Sequence, residues 1–374
     1  MQSARLFLLL AASAIAFGQS SSHAPVQAPS AEDRSSSAVW QMQDSGTTAG
    51  LRGIDSVDGT VAWASGTGGT VLKTIDGGGH WQRCTIPDAD KDGVTLDFRG
   101  VQAWDATTAI VMASGPGDKS RLYKTRDGCK TWEDNLRNDD PNGFWDVMQF
   151  VHSDFGFAIA GPNTGVLIGD PVEGQFKTNA MMLGYGWFLD TAGCKSEAGE
   201  AAFAASNSSA FEFGNRRYIL GTGGKAGAAI HISALLYSGD GGGPCKRIAV
   251  PMAGDSDSSG VFSVFFKSLK VGVIVGGDYT EPNESKGTAA RTSGDWNHWT
   301  ASTTPPHGYR STVQWSEPFK LWITAGTNGS DISRDDGRTW HPLDNGNWNA
   351  LSLPFIVGPN GRIARLNPAA FPKP

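Results

Sequence analysis

Short apolar runs recur along the chain from residue 38 onward, separated by glycine-rich gaps. Ala62-Trp63-Ala64-Ser65-Gly66 leads through Gly68-Gly69 into Thr70-Val71-Leu72-Lys73, and Trp322-Ile323-Thr324-Ala325-Gly326 leads through Asn328-Gly329 into Ser330-Asp331-Ile332. Ala158-Ile159-Ala160-Gly161 with Thr164-Gly165-Val166, and Ile219-Leu220-Gly221-Thr222-Gly223-Gly224, have the same shape. Paired runs that flank a short gap able to adopt positive φ predict β-hairpins. Gly66-Thr67-Gly68-Gly69 resembles a phosphate loop in composition, but no helical pattern follows it, so a hairpin is the better reading.

Each hairpin runs into a second recurring element. Thr74-Ile75-Asp76-Gly77-Gly78-Gly79-His80-Trp81 returns as Thr125 to Trp132 around Asp127, and as Ser333 to Trp340 around Asp335. These octapeptides match the Asp-box pattern S/T-x-D-x-G-x-T-W in Asp and Trp, with Cys129 at one glycine position. Thr292 to Trp299 is a weaker copy with its Asp at 295, and Ser238 to Cys245 keeps Asp240 but ends in Cys. Met181 to Phe188 is the most worn. The Asp carboxylate is suited to accept backbone N–H groups across a turn, and Trp81, Trp132 and Trp340 to cover that turn from the next strand. Asp76, Asp127, Asp240 and Asp335 are therefore expected to be structural, on peripheral turns.

The copies end at residues 81, 132, 188, 245, 299 and 340, a period of 41 to 57 residues, which suits one four-stranded propeller blade. The expected fold is all-β: one β-propeller spanning residues 38–374, most simply of seven blades. The last blade has three strands, around Ala350, Phe355 and Ile363, and Val39-Trp40-Gln41-Met42-Gln43 is placed to supply its fourth and close the ring. The four cysteines lack metal-ligand spacing and allow three pairings into two disulfides. In the repeat frame Cys84 and Cys194 follow boxes, whereas Cys129 and Cys245 lie in the boxes of the next blades. That frame predicts Cys84–Cys129 and Cys194–Cys245.

Composition adds an address. The 374-residue chain carries 49 Gly, 13 Trp, 18% charged residues and a net charge of −6, without a basic run that would favour nucleic acid. Met1 to Arg5 and the apolar Leu6–Phe17 precede Ala16-Phe17-Gly18, which reads as a signal peptide over 1–18, with a Ser/Ala/Pro-rich leader over 19–37. A periplasmic or secreted protein without a transmembrane segment is expected. Nothing in the sequence calls for a cofactor or a metal.

The [AG]-W-A-x-G…G-x-V-L-K-T-x-D-G-G-x-x-W grammar at residues 62–81 resembles the photosystem II stability and assembly factor family, over roughly 38–367. Gly169 to Gly174 and Gly199 to Ser206 resemble its non-photosynthetic bacterial branch. The resemblance implies a non-catalytic scaffold that binds a protein partner in or near a membrane-associated complex. Aligned starts of the innermost strands place Arg52, Arg99, Trp145, Phe262, Arg310 and Asn349 around one channel mouth, with Glu200 nearby. Such an arginine cluster suits carboxylate or phosphate capture, unless each arginine pairs with a local carboxylate such as Asp55, Asp97 or Asp146. The enzymatic alternative is a sialidase-like glycoside hydrolase using Tyr309 with Asp146 or Glu200.

Overall fold

The computed structural model describes residues 38–87, 89, 96–150, 164–172, 175–182, 186–190, 194–213, 217–234 and 245–371. The expected signal peptide and leader, Asp240, and parts of the two most worn turn copies lie outside the described residues.

Five four-stranded sheets and one nine-stranded sheet make up the described fold. The first sheet runs Leu51–Ser56, Ala62–Gly66, Thr70–Thr74, Gln82–Cys84, and every pair in it is antiparallel. Its second and third strands are buried along their whole length, while its outermost strand is largely exposed. Phe98–Ala103 to Glu133–Arg137 repeats that gradient. Middle strands buried on both faces read as continuous small and apolar runs rather than as alternation, which is why Ala62-Trp63-Ala64-Ser65 carries so little polar character.

In the nine-stranded sheet, Arg217–Gly224 and Ser259–Ser268 are joined by the single pairing of Gly223 with Gly260. A Cβ on Gly223 would lie 2.5 Å from the Gly260 Cα, so neither position admits a side chain without separating the strands.

The core lies between sheets. One cluster joins Trp63 and Val71 of the first sheet to Phe98, Val111 and Tyr123 of the second; another joins Leu321 and Ile323 to Trp348 and Ile356. The innermost strands touch in sequence order, from Leu51–Ser56 round to Ala350–Ser352, which returns to Leu51–Ser56. The last sheet is completed by Trp40–Met42, paired antiparallel with Ile363–Leu366 in the register Trp40↔Leu366 and Met42↔Ala364. The first and last described strands thus share one sheet, as the three-strand remainder suggested.

The turn octapeptides have one geometry. In each intact copy the first hydroxyl and the Asp carboxylate share a hydrogen bond, and the same hydroxyl accepts the backbone N–H at the fifth position: Gly78, Cys129 or Gly337. The carboxylate then accepts the backbone N–H of His80, Thr131 or Thr339 at 2.9 Å. Hydrogen bonds from the Thr131 hydroxyl and backbone hold the Asp127 carboxyl down at about 2. Cys129 adopts φ +69° at the glycine position and is bonded to Cys84. Cys194 is bonded to Cys245. Both pairings follow the repeat frame.

A latch recurs near the far end of the innermost strands. Gln102 donates to the Phe150 carbonyl and accepts its N–H, Gln149 donates to the Asn207 carbonyl, and Gln314 accepts from Leu353 N–H. Asp55 holds the equivalent place and accepts from Ala103 N–H at 2.7 Å. Burial pushes its carboxyl up to about 6, against the smaller opposing pull of the Ala103 and Ser352 hydrogen bonds.

Two tests follow from closure and latch. Trp40, 5% exposed and bonded through Nε1 to Ser330, is the anchor of the closing strand; Trp40→Ala is expected to cost about 3–5 kcal/mol, read by urea unfolding. Asp55 keeps its proton in the folded state between the ordinary aspartate value and about 6, where the unfolded chain has lost it. Its contribution is therefore largest in acid and is lost as pH rises through 6. Asp55→Asn should raise stability by about 1–2 kcal/mol at pH 7.5 and change little at pH 4, read as paired melting temperatures.

Candidate functional site

The latch residues give the register of the innermost strands. Four residues before Asp55, Gln102, Gln149 and Gln314 stand Leu51, Phe98, Trp145 and Arg310. All four are buried, at 0%, 0%, 4% and 0% exposure. The next residue in three of these strands, Arg52, Arg99 or Asp146, is the extra residue of a β-bulge, as is Phe262 in the strand Ser259–Ser268. Bulges re-aim a side chain without ending the strand. Arg52 and Arg99 share this position, whereas Arg310 and Trp145 are one residue out of phase with them. Since side chains alternate between faces, that single step moves both from the mouth into the packing between sheets.

The expected arginine trio is thus a pair. Arg52 Nε lies 3.1 Å from Asp97 Oδ1, and Arg99 Nε lies 2.9 Å from Asp97 Oδ2. Two cations share the Asp97 carboxylate, and their side chains retain 35% and 29% exposure; Asp146, at the same bulge position in its own strand, adds a second acid to this row. The contacts are unequal. Arg99 has a hydrogen bond to Asp97 and also donates through Nη1 to the Ala204 carbonyl, with Phe144 5.9 Å from its guanidinium carbon. Arg52 meets Asp97 by proximity alone: among the described residues its buried Nε has no hydrogen-bond partner. Asp97 is one of the three local carboxylates named as possible partners; Asp55 instead belongs to the latch.

A segment in contact with Arg99 spans several innermost strands. The segment 202–209 leaves its sheet after Glu200–Ala201 and rejoins it at Ala210–Glu212, both strands pairing with the one that follows. Between them Ala204 accepts from Arg99, Asn207 accepts from Met148 N–H and Gln149, Ser206 donates to the Ser311 carbonyl, and Ser208 donates to Ser263. Phe203 stacks on Phe262 at 4.0 Å, and Tyr309 packs edge-on to Phe262 at 4.9 Å. These partners lie in or beside three other sheets and in the far half of its own, so the segment is a crossbar between innermost strands. Gly199 to Ser206 stood out in the sequence, but only as a resemblance; the crossbar had no sequence signal.

The other expected site residues are committed elsewhere. Arg310 is bound to Asp331 through Nε at 2.7 Å, to Asn328 and the Tyr309 carbonyl, and lies 2.9 Å from His307 Nδ1. Trp145 packs with Ile110, Met112 and Phe150. Asn349 donates to the Leu51 carbonyl and ties the last sheet to the first. Glu200, buried rather than at the mouth, meets His231 Nε2 at 2.7 Å, Arg247 Nε at 3.1 Å and Thr222 Oγ1 at 2.5 Å. Burial alone would raise its carboxyl, but hydrogen bonds from His231, Glu197 N–H and Thr222 hold it at about 2. Tyr309, proposed for the hydrolase alternative, is buried in the aromatic cluster, and burial raises its hydroxyl far above the ordinary value.

No family model and no curated protein matches the chain. Solved structures do. YCF48 from Cyanidioschyzon merolae aligns with a TM-score of 0.60 at 17% identity, covering 89% of this chain and all of that one. YCF48 bound to D1 peptide aligns at 0.57 and 14%, covering 88% of this chain and 94% of that one. The fold is a β-propeller. The WD40 propeller domain of Doa1 gives 0.55 at 10% identity, covering 86% of this chain and 96% of that one, so the propeller likeness reaches beyond one kind of protein.

The two kinds of arginine should respond differently to mutation. Asp331→Ala leaves the propeller's Arg310 guanidinium buried without its carboxylate and is expected to cost about 3–5 kcal/mol. Arg52→Ala, at the partly exposed mouth, should change stability by less than about 1 kcal/mol. Chemical unfolding of the two variants checks the contrast.

Proposed function

We propose that this chain is a seven-bladed, exported scaffold without catalytic activity, which captures an acidic segment of a protein partner at the mouth bearing Arg52 and Arg99. The observation that carries the proposal is the repeated bulge: two neighbouring blades aim arginines at one carboxylate, and both arginine side chains keep about a third of their surface exposed. A partner carboxylate would meet the exposed part of the Arg52 and Arg99 side chains, and bidentate geometry favours arginine for that task. Because the crossbar 202–209 spans several innermost strands, such a segment rests on the face rather than threading the channel. The structural likeness to YCF48 bound to D1 peptide makes a peptide-like occupant a natural reading for a propeller of this shape.

The counting of blades takes the nine-stranded sheet as two, divided at Gly223 and Gly260. Export is supported by the apolar Leu6–Phe17 segment and by two disulfides, which persist in oxidising compartments. No helix among the described residues is long and apolar enough to cross a membrane. An envelope location beside a membrane-associated complex, with the partner held there, follows from the family resemblance and from this address.

Affinity capture from the native envelope fraction tests the reading, with an Arg52→Ala/Arg99→Ala double variant as control. The double variant should lose a specific protein partner at least about tenfold while melting as the parent does, and raised salt should weaken the parent's capture. Equal capture by both proteins would sink the proposal.

A further inference from the structure

The second disulfide differs from the first in what surrounds it. Among the described residues one group has the donors of a metal site: Cys194, His231 and Cys245, whose ligand atoms all lie within 4.8 Å of one another. Cys84–Cys129 is packed among Trp63, Val71, Ile86 and Phe98 instead. His231 is 0% exposed and stands on the strand Ala229–Ala234, which pairs with Lys246–Ala249 just after Cys245. We propose that Cys194, Cys245 and His231 form a zinc site that opens when their disulfide is reduced, with Glu200 as the group that orients His231.

One ligand-to-ligand distance already suits zinc, and the two sulfurs separate once their bond is reduced. Zn–S of about 2.3 Å and Zn–N of about 2.0 Å at a tetrahedral angle place sulfur and nitrogen about 3.6 Å apart. His231 Nδ1 already lies 3.8 Å from Cys245 Sγ. On its other side Nε2 meets the Glu200 carboxylate at 2.7 Å. That contact selects the tautomer with the proton on Nε2 and turns the acceptor nitrogen, Nδ1, toward the sulfurs. Zinc-bound histidines use this carboxylate–imidazole arrangement to fix ring orientation and strengthen the ligand. Glu200 is itself fixed by Arg247, Thr222 and Glu197 N–H, so it is an anchor already in place. Two thiolates and an imidazole favour zinc over calcium or magnesium, and the partly exposed Cys245 leaves a way in for the ion and for water as fourth ligand.

The chemistry balances with a dithiol as reductant. One of its thiolates attacks a disulfide sulfur and the second resolves the mixed disulfide. The dithiol becomes a disulfide, and its two electrons and two protons pass to Cys194 and Cys245. Zinc then binds both sulfurs as thiolates, releasing the two thiol protons to solvent.

The test uses the full mature chain, zinc chloride and a chromophoric chelator in competition, with and without dithiothreitol. Reduced parent protein should hold one zinc per chain, and the oxidised protein should hold none. Cys84→Ser/Cys129→Ser should keep the reduced-state zinc, whereas Cys194→Ser/Cys245→Ser should lose it. Glu200→Gln, which retains a hydrogen-bond acceptor, should weaken binding about 10–100-fold. Cobalt in place of zinc should give a sulfur-to-metal charge-transfer band that the Cys194→Ser/Cys245→Ser chain lacks. Circular dichroism identifies chains that remain folded. A folded, reduced parent without zinc, or equal zinc in the oxidised form or in Cys194→Ser/Cys245→Ser, overturns the assignment.

Discussion

The antiparallel pairing of Trp40–Met42 with Ile363–Leu366 is the constraint on which the other sheets depend, because each sheet buries its faces only against two neighbours. A four-stranded sheet with two fully buried middle strands has no exposed face to spare. Remove one neighbour and a cluster such as Trp63 with Phe98 and Tyr123 opens to water. The closing strand is short, yet Trp40 reaches both the Trp348 ring at 6.1 Å and Ser330 in the adjoining sheet. Closure therefore joins two sheets to each other as well as completing one.

Given a closed ring, the two ends of the innermost strands divide the work. At one end Asp55, Gln102, Gln149 and Gln314 spend their polar atoms on the backbone of a neighbour, so these ends serve cohesion. At the other end β-bulges turn Arg52 and Arg99 out of the packing and toward solvent. The crossbar 202–209 is tied to both kinds of position, to Gln149 through Asn207 and to Arg99 through Ala204.

Buried charge is handled in two ways. Arg310 and Asp331 form a desolvated pair reinforced by Asn328 and His307, and Glu200 is surrounded by His231, Arg247 and Thr222. Charges this deep persist only with partners and hydrogen bonds. Arg52 and Arg99, two cations on one acid at the surface, are under no such requirement. That exposure is what distinguishes the mouth from the interior pairs.

Much of the architecture was legible in the chain itself. The Asp and Trp spacing at 76/81, 127/132 and 335/340 specifies a turn that local hydrogen bonds complete, and the placement of the cysteines in that frame foretold both disulfides. The unmatched strands after Ala350 called for a partner from the N-terminus. These features are local, or follow from counting strands. The mouth is different. Arg310 looked equivalent to Arg52 and Arg99, but bulges at Arg52 and Arg99 shift their register by one residue, and a one-residue shift reverses which face a side chain takes. Nothing local marked 202–209 as a crossbar, or brought His231 to Cys194 and Cys245, because those contacts join residues far apart in sequence. The sequence determined the repeating unit and how the ring closes; the tertiary structure alone decided which polar side chains meet inside it.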